Sequence, residues 1–172
     1  MNTVNNLKSL AIDMINNAGS GHPGIALSSA NILYTLYYNH MHVNPKDLKW
    51  INRDRFVLSA GHGSSLLYAT LYMAGFLTLK DLKEFRCLDS VTPGHPEYKV
   101  TPGVDASTGP LGQGIALAVG MAIASKRLKE KFDNLIDYYT YVLVGDGDLM
   151  EGVSYEASSL AGTLKLDNLI IL

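Results

Sequence analysis

The chain has 172 residues, of which 47% are hydrophobic and 17% charged, and this suits one globular domain large enough to bury a core. Lys and Arg number 14 against 16 Asp and Glu, and the net charge of −2 argues against a nucleic-acid binder, which needs a concentrated basic face. The one cysteine, Cys87, excludes an internal disulfide framework, and no run reaches the ~20 apolar residues of a membrane span, so we expect a cytoplasmic protein without nucleic-acid or membrane partners.

The first half of the chain shows two helical patterns around one strand-like run. After Pro23-Gly24, one helical face carries Ala26, Ala30, Leu33 and Tyr37. A strand is predicted over 55–60 (RFVLSA), and it ends at Gly61-His62-Gly63. The next helical face carries Leu67, Leu71 and Gly75. A Pro- and Gly-rich connection over 93–114 is of a length that usually serves a function.

The second half repeats this alternation. A helix starts at Gly112-Gln113-Gly114 with one face formed by Ile115, Val119, Ala122 and Lys126. A strand over 138–144 (YYTYVLV), a helix from about 151 to 164 and a strand over 168–172 (NLIIL) follow. Apolar runs without strict alternation are typical of strands buried on both faces. We therefore predict an α/β fold, doubly wound, with a mostly parallel sheet and helices on both faces. Because a domain rarely ends inside an uncharged apolar strand, we expect the polypeptide or its assembly to continue beyond Leu172.

The Gly145-Asp146-Gly147 turn lies where the strand over 138–144 gives way to a helix. Ligands of α/β folds bind at this carboxyl edge of the sheet. Glycines let a diphosphate approach the backbone, the helix N-terminus attracts anions, and a carboxylate is a hard ligand for Mg²⁺ or Ca²⁺. Taken alone, such a triplet is more often an ordinary turn, and its position after the strand favours the ligand-binding interpretation.

Three of the five histidines, His22, His62 and His95, stand in glycine-rich turns. Histidine donates, accepts or transfers protons near neutral pH, so convergent turns would suit a polar substrate. Turn histidines that face solvent are the alternative. The segment 107–114 (STGPLGQG) admits the same two interpretations, a ligand-binding backbone or a plain helix start. Glu151 and Glu156 lie five residues apart, a spacing that does not bring two helical side chains together, so on this pattern alone we expect solvated surface acids.

Taken together and in this order, the motifs resemble those of the transketolase family. They are GSGHPG around His22, RDRFVLSAGHGS around His62, TPGHPE around His95, STGPLGQG, and GDGDLMEG followed by SLAGTLKLDNLI. The resemblance extends from about Leu10 to Leu172 and implies that residues 1–172 form the N-terminal part of the domain that binds the diphosphate and Mg²⁺ of thiamine diphosphate, with later domains absent.

The resemblance also implies residue roles. Asp146 would be the ligand of Mg²⁺ (with Ca²⁺ or Mn²⁺ as alternatives), and Gly147 would lie beside the diphosphate. His62 would bind the diphosphate and face the substrate, and Gly109, Pro110 and Leu111 would line the cofactor. His22 and His95 would contact the ketose hydroxyls, and all three histidines would be catalytic. Glu151 and Glu156 match acids that the family buries at its dimer interface.

The implied reaction is transfer of a two-carbon ketol unit from a ketose phosphate such as xylulose 5-phosphate to an aldose phosphate such as ribose 5-phosphate. In the family this belongs to the pentose phosphate pathway and is performed by a cytoplasmic homodimer. The alternatives are a related enzyme such as dihydroxyacetone synthase and a non-catalytic transketolase-like module.

One departure from the family pattern limits what the chain is expected to do alone. The second metal ligand of the family, an Asn at the far end of the strand after the turn, is missing, because Asn168 begins that strand. The glutamate that activates the cofactor belongs to another domain of the family. We therefore expect residues 1–172 by themselves to bind the cofactor weakly and to lack activity.

Overall fold

The computed structural model describes residues 2–172, and these form an α/β structure. The elements in chain order are α1 (Asn2–Ala18), α2 (Pro23–Ser28), α3 (Ala30–Asn39), β1 (Arg55–Leu58), a 3-10 turn (Gly61–Gly63), α4 (Ser64–Met73), α5 (Leu79–Lys83), α6 (Gln113–Lys131), β2 (Thr140–Leu143), α7 (Asp146–Leu149), α8 (Gly152–Thr163) and β3 (Leu169–Ile171). Within the described residues the strands form one parallel sheet in the order β1-β2-β3. The predicted α/β class with a parallel sheet is therefore confirmed.

The chain divides into two compact units, and the first combines Met1–Leu48 with His62–Val104. This unit is helical, with α1 and α3 packed against α4. α1 places Leu7, Ala11 and Met14 on one buried face, at the spacing of an amphipathic helix. α4 is buried from Ser64 to Leu71, polar residues included, so it forms the centre of this unit.

The second unit combines Lys49–Gly61 with Asp105–Leu172 and contains the sheet. α6 packs against all three strands and against α8. Its buried core includes Val57 and Val142 of the sheet and Ile115 and Val119 of α6. Because parallel strands end at the same edge of a sheet, the segments that follow β1 and β2 leave from the same edge.

The strands lie inside the predicted runs but are shorter, and some helices differ from the sequence-based prediction. Ser59 and Ala60 follow β1 and lead into the 3-10 turn instead of extending the strand. The helical stretch after Pro23 is interrupted at Ser29, so Ala26 belongs to α2 and Leu33 to α3. The irregular connection is longer than predicted, since residues 84–112 contain neither helix nor strand. α1, α5 and α7 were not predicted. No helix among residues 2–172 has both the length and the apolar character of a membrane span.

Candidate functional site

In the second unit, three segments meet at the carboxyl edge of the sheet, and the buried side chain of Asp148 joins them. Its Oδ1 accepts hydrogen bonds from the Ser59 hydroxyl at 3.2 Å and from the Gly112 backbone N–H at 2.9 Å. Its Oδ2 accepts one from the Gly145 backbone N–H at 3.0 Å. Asp148 is 1% exposed, so these partners replace water around its carboxylate. One residue thereby fixes the segments that follow β1, precede α6 and follow β2.

Glycines allow these segments to pack backbone against backbone. A Cβ on Gly61 would lie 2.9 Å from the backbone nitrogen of Gly109, and a Cβ on Gly114 would lie 2.4 Å from the Cα of Ser59. Side chains at these positions would push the segments apart. The Thr108 hydroxyl donates to the backbone carbonyl of Leu58 at 2.7 Å and ties the Thr108–Leu111 stretch to the end of β1. Two predicted cofactor segments also meet, because a Cβ on Gly147 would lie 3.5 Å from Cδ1 of Leu111.

Asp146 begins α7, directly after Gly145, and its side chain is exposed. Its Oδ1 accepts the backbone N–H of Gly147 at 2.9 Å, which leaves further lone pairs of the carboxylate for a ligand. Asp146 and Asp148 are two residues apart but differ in role, since one faces out and the other holds the turn from inside.

The residues present fit a divalent cation that binds a diphosphate, but they supply only part of its coordination. The exposed Asp146 carboxylate is the hard oxygen donor that Mg²⁺ prefers. Among residues 2–172, no three His, Cys, Asp or Glu residues are grouped as a metal site would require. Asn168 does not contribute, because it immediately precedes β3 at the opposite edge of the sheet and its buried amide donates to the Ala122 carbonyl at 3.0 Å. A metal held here would take its remaining ligands from diphosphate, water or other parts of the protein.

The three predicted histidines all belong to the first unit. His22 precedes α2 as its N-cap residue, and His62 is the middle residue of the 3-10 turn before α4. The rings of His22 and His62 are brought together, with centroids 5.0 Å apart and planes tilted by 58°. A Cβ on Gly63 would lie 2.5 Å from Cγ2 of Ile25, so glycine at this position lets α2 and the start of α4 pack closely.

His95 lies in an irregular turn that α4 holds in place. The hydroxyl of Ser64 donates to the Gly94 carbonyl at 2.7 Å, and the hydroxyl of Tyr68 is shared between the carbonyls of Pro93 at 2.9 Å and His95 at 3.1 Å. Both side chains are completely buried. Burial raises the pKa of Tyr68 well above its ordinary value, so its hydroxyl remains a donor at physiological pH.

The pKa of His95 is lowered, first by partial loss of solvent around the ring, then by the positive charge of Arg86 and by electrostatic interaction with His22. Its neutral form is therefore favoured at neutral pH, and a neutral imidazole can accept a proton.

Glu151 and Glu156 are both exposed, Glu151 as the N-cap residue of α8 and Glu156 one turn further along. A Cβ on Gly112 would lie 2.7 Å from Cβ of Glu151, so the start of α8 packs on the segment that precedes α6. Two residues that matter to these arrangements, Asp148 and Arg86, were not identified from the sequence. An acid in the first turn of a helix and an arginine between helices are common on surfaces, and only the fold shows what they contact.

Comparison with known proteins finds relatives of one kind. A family model described as "Transketolase, thiamine diphosphate binding domain" matches residues 1–172. The chain is 60% identical to a transketolase from Aquifex aeolicus over 97% of its own length and 25% of the relative, and 57% identical to one from Bacillus subtilis over 99% and 26%. It thus spans about a quarter of the length of the curated relatives it matches.

The solved structures that superimpose on this chain include transketolases as well. A transketolase from Leishmania mexicana superimposes with a TM-score of 0.96 at 53% identity, covering 98% of this chain and 26% of that one. A transketolase from Pichia stipitis in complex with sedoheptulose 7-phosphate superimposes with a TM-score of 0.95 at 52% identity, over 98% of this chain and 25% of that one.

Proposed function

Because the chain belongs to the transketolase family, whose thiamine diphosphate binding domain model matches residues 1–172, we propose that it holds the diphosphate and one side of the sugar in a ketol-transferring enzyme. The reaction is the transfer of a two-carbon ketol unit from a ketose phosphate, such as xylulose 5-phosphate, to an aldose phosphate, such as ribose 5-phosphate. The observation that carries the proposal is the match of the family model to all 172 residues. The complex of a structural relative with a sugar phosphate supports the substrate class.

At the carboxyl edge of the sheet, Asp146 holds Mg²⁺ through its exposed carboxylate, and Gly147 leaves room for the diphosphate. Gly109, Pro110 and Leu111 line the cofactor. The contact between Gly147 and Leu111 supports this assignment, since it brings the two segments together. Thiamine diphosphate, when bound, supplies the electron sink for cleavage of a carbon–carbon bond beside a carbonyl.

The histidine turns act on the diphosphate and the sugar. His62 binds the diphosphate and faces the substrate, and His22, whose ring lies 5.0 Å from that of His62, contacts sugar hydroxyls. His95 accepts a proton from a substrate hydroxyl through an unprotonated ring nitrogen, which its lowered pKa favours. The working enzyme is a cytoplasmic homodimer of the pentose phosphate pathway, with Glu151 and Glu156 at the interface between subunits.

An assay of the full-length protein tests the proposal. With xylulose 5-phosphate and ribose 5-phosphate, product formation should require both thiamine diphosphate and a divalent cation, with Mg²⁺, Ca²⁺ and Mn²⁺ compared. A ketol unit added to formaldehyde gives dihydroxyacetone, so a preference for formaldehyde over ribose 5-phosphate would identify a dihydroxyacetone synthase instead. Absence of transfer to either acceptor in the loaded protein would leave a non-catalytic binding module.

A further inference from the structure

Arg86 lies between two of the histidine-bearing turns in the first unit. Its Nη1 donates to the hydroxyl of Ser20 at 3.1 Å, two residues before His22. The guanidinium also lies against the backbone that precedes His95, because a Cβ on Gly94 would be 3.3 Å from Nε and 3.6 Å from Cζ of Arg86. One planar group therefore touches both turns.

The conformation of Arg86 is unusual for a surface arginine. Its φ of 62° lies in the left-handed region, which residues with a Cβ rarely adopt. Its backbone N–H donates to the Thr92 carbonyl at 3.0 Å and closes the loop that leads to Gly94. Its Nε is buried and makes no hydrogen bond to any of the residues 2–172. Strained backbone and an unpaired buried donor both oppose folding, so their presence at one residue points to a function that retains them.

Two further contacts hold the histidine turns: the rings of His22 and His62 meet directly, and the His95 turn is bonded to α4. The backbone of the His95 turn accepts hydrogen bonds from Ser64 and Tyr68 of α4. His62 lies in the 3-10 turn that directly precedes the same helix. Arg86 adds a direct side-chain connection from the His95 turn to the His22 turn, independent of that helix.

We propose that Arg86 is a positioning residue that sets the separation of the His22 and His95 turns, so that both imidazoles reach one substrate molecule. This inference rests on the proposed function, in which both histidines contact the sugar. Arg86 itself need not touch the substrate. A guanidinium suits the task because its rigid plane can donate to a hydroxyl on one side while its face packs on a glycine.

The arrangement has an electrostatic signature at His95. The cation of Arg86 and the imidazole of His22 both lower the pKa of His95, after the effect of lost solvent. Glu97 lies two residues after His95, and its negative charge contributes to the raised pKa of the Tyr68 hydroxyl that supports the turn. Removal of Arg86 therefore should raise the pKa of His95 while the neighbouring groups remain.

The test compares Arg86→Leu with Arg127→Leu, which removes an exposed arginine of α6, in the full-length protein loaded with thiamine diphosphate and Mg²⁺. The pKa of His95 is measured from hydrogen exchange at its ring C2 carbon by mass spectrometry, and kcat is measured with xylulose 5-phosphate and ribose 5-phosphate. For Arg86→Leu we expect the His95 exchange midpoint to move to higher pH and kcat to fall about 10- to 100-fold, since small misplacements of catalytic groups have effects of this size. The control should change neither.

Both changes are required, so an unshifted midpoint or an unaltered kcat in folded Arg86→Leu overturns the proposal. If that variant does not fold, Ser20→Ala decides, because it removes only the hydroxyl that accepts from Arg86. An approximately fivefold loss of kcat, the value of about one hydrogen bond, supports the proposal, and wild-type kcat overturns it. Absence of ketol transfer in the unaltered protein would instead refute the proposed function, and with it this inference, whereas a loss confined to Arg86→Leu and Ser20→Ala leaves the proposed function intact.

Discussion

The buried carboxylate of Asp148 accepts a hydrogen bond from the backbone N–H of Gly112, at 2.9 Å and across 36 residues of chain. Ser59 and Gly145 donate to the same carboxylate, so Asp148→Ala leaves three donors without their acceptor. We expect the free energy of unfolding to fall by about 3 kcal/mol, from the loss of hydrogen bonds to a buried acceptor. Denaturant titration of the full-length protein measures this change.

Asp146→Ala is the matched control. Because Asp146 is exposed, its replacement should lower the free energy of unfolding by about 0.5 kcal/mol. Equal losses in the two variants would show that Asp148 does not hold the turn.

Gly114 and Gly120 stand on the same helix but differ in their surroundings. A Cβ on Gly114 would lie 2.4 Å from the Cα of Ser59, whereas a Cβ on Gly120 would meet nothing within 4 Å. Gly114→Ala should therefore destabilise the protein by about 2 kcal/mol through overpacking. Gly120→Ala should stabilise it by about 0.5–1 kcal/mol through helix propensity. Thermal unfolding of the two variants checks both signs, and a stabilised Gly114→Ala would contradict the close packing of α6 on the end of β1.

The lowered pKa of His95 has a consequence for stability. Its folded-state pKa lies below the ordinary value of 6.5, so between these two values the unfolded chain binds more protons than the folded protein. The stabilising effect is complete above pH 6.5 and is lost as the pH falls through the lowered value. Relative to His95→Asn, the wild-type protein should therefore lose Tm as the pH is lowered from 7 to 5. A Tm difference that does not change with pH would mean that folding leaves the pKa of His95 unperturbed.

The chain of residues 1–172, expressed alone, should not transfer ketol units. It holds the exposed Asp146 carboxylate but, within its described residues, no group of three metal-binding side chains. Calorimetry with thiamine diphosphate and Mg²⁺ should therefore show weak binding at most, and xylulose 5-phosphate should not be consumed. Tight binding or turnover would mean that these residues suffice for the site.

Much of this arrangement could be predicted from the sequence because it depends on local pattern. The strand over 138–144 and the Gly145-Asp146-Gly147 turn locate the carboxyl edge of the sheet, since strand, turn and helix follow one another directly in the chain. The helix from Gln113 was predicted in the same way, from its glycine-rich start and its apolar periodicity. α1 was missed although Leu7, Ala11 and Met14 have helical spacing, because Asp13, Asn16 and Asn17 interrupt its apolar run.

The remaining features depend on contacts between distant segments. Asp148 resembles any acid in the first turn of a helix. It is buried because Gly112 and Ser59, which are distant in the chain, pack against it and donate to its carboxylate. Arg86 resembles an ordinary loop arginine, and its role depends on the approach of Ser20, 66 residues earlier in the chain. Sequence patterns carry no direct information on such pairs, so the candidate turns could be predicted but not the side chains that hold them.

The most direct test of the account is cofactor binding by Asp146→Ala in the full-length protein, with Asp13→Ala, an exposed acid of α1, as the control. Calorimetric titration with thiamine diphosphate in the presence and absence of Mg²⁺ gives the result. We predict that Asp13→Ala binds as the wild type does, whereas Asp146→Ala loses at least about tenfold in Mg²⁺-dependent affinity, together with ketol transfer. If Asp146→Ala retains wild-type affinity and its dependence on Mg²⁺, the carboxylate does not hold the metal and the account of this site is wrong.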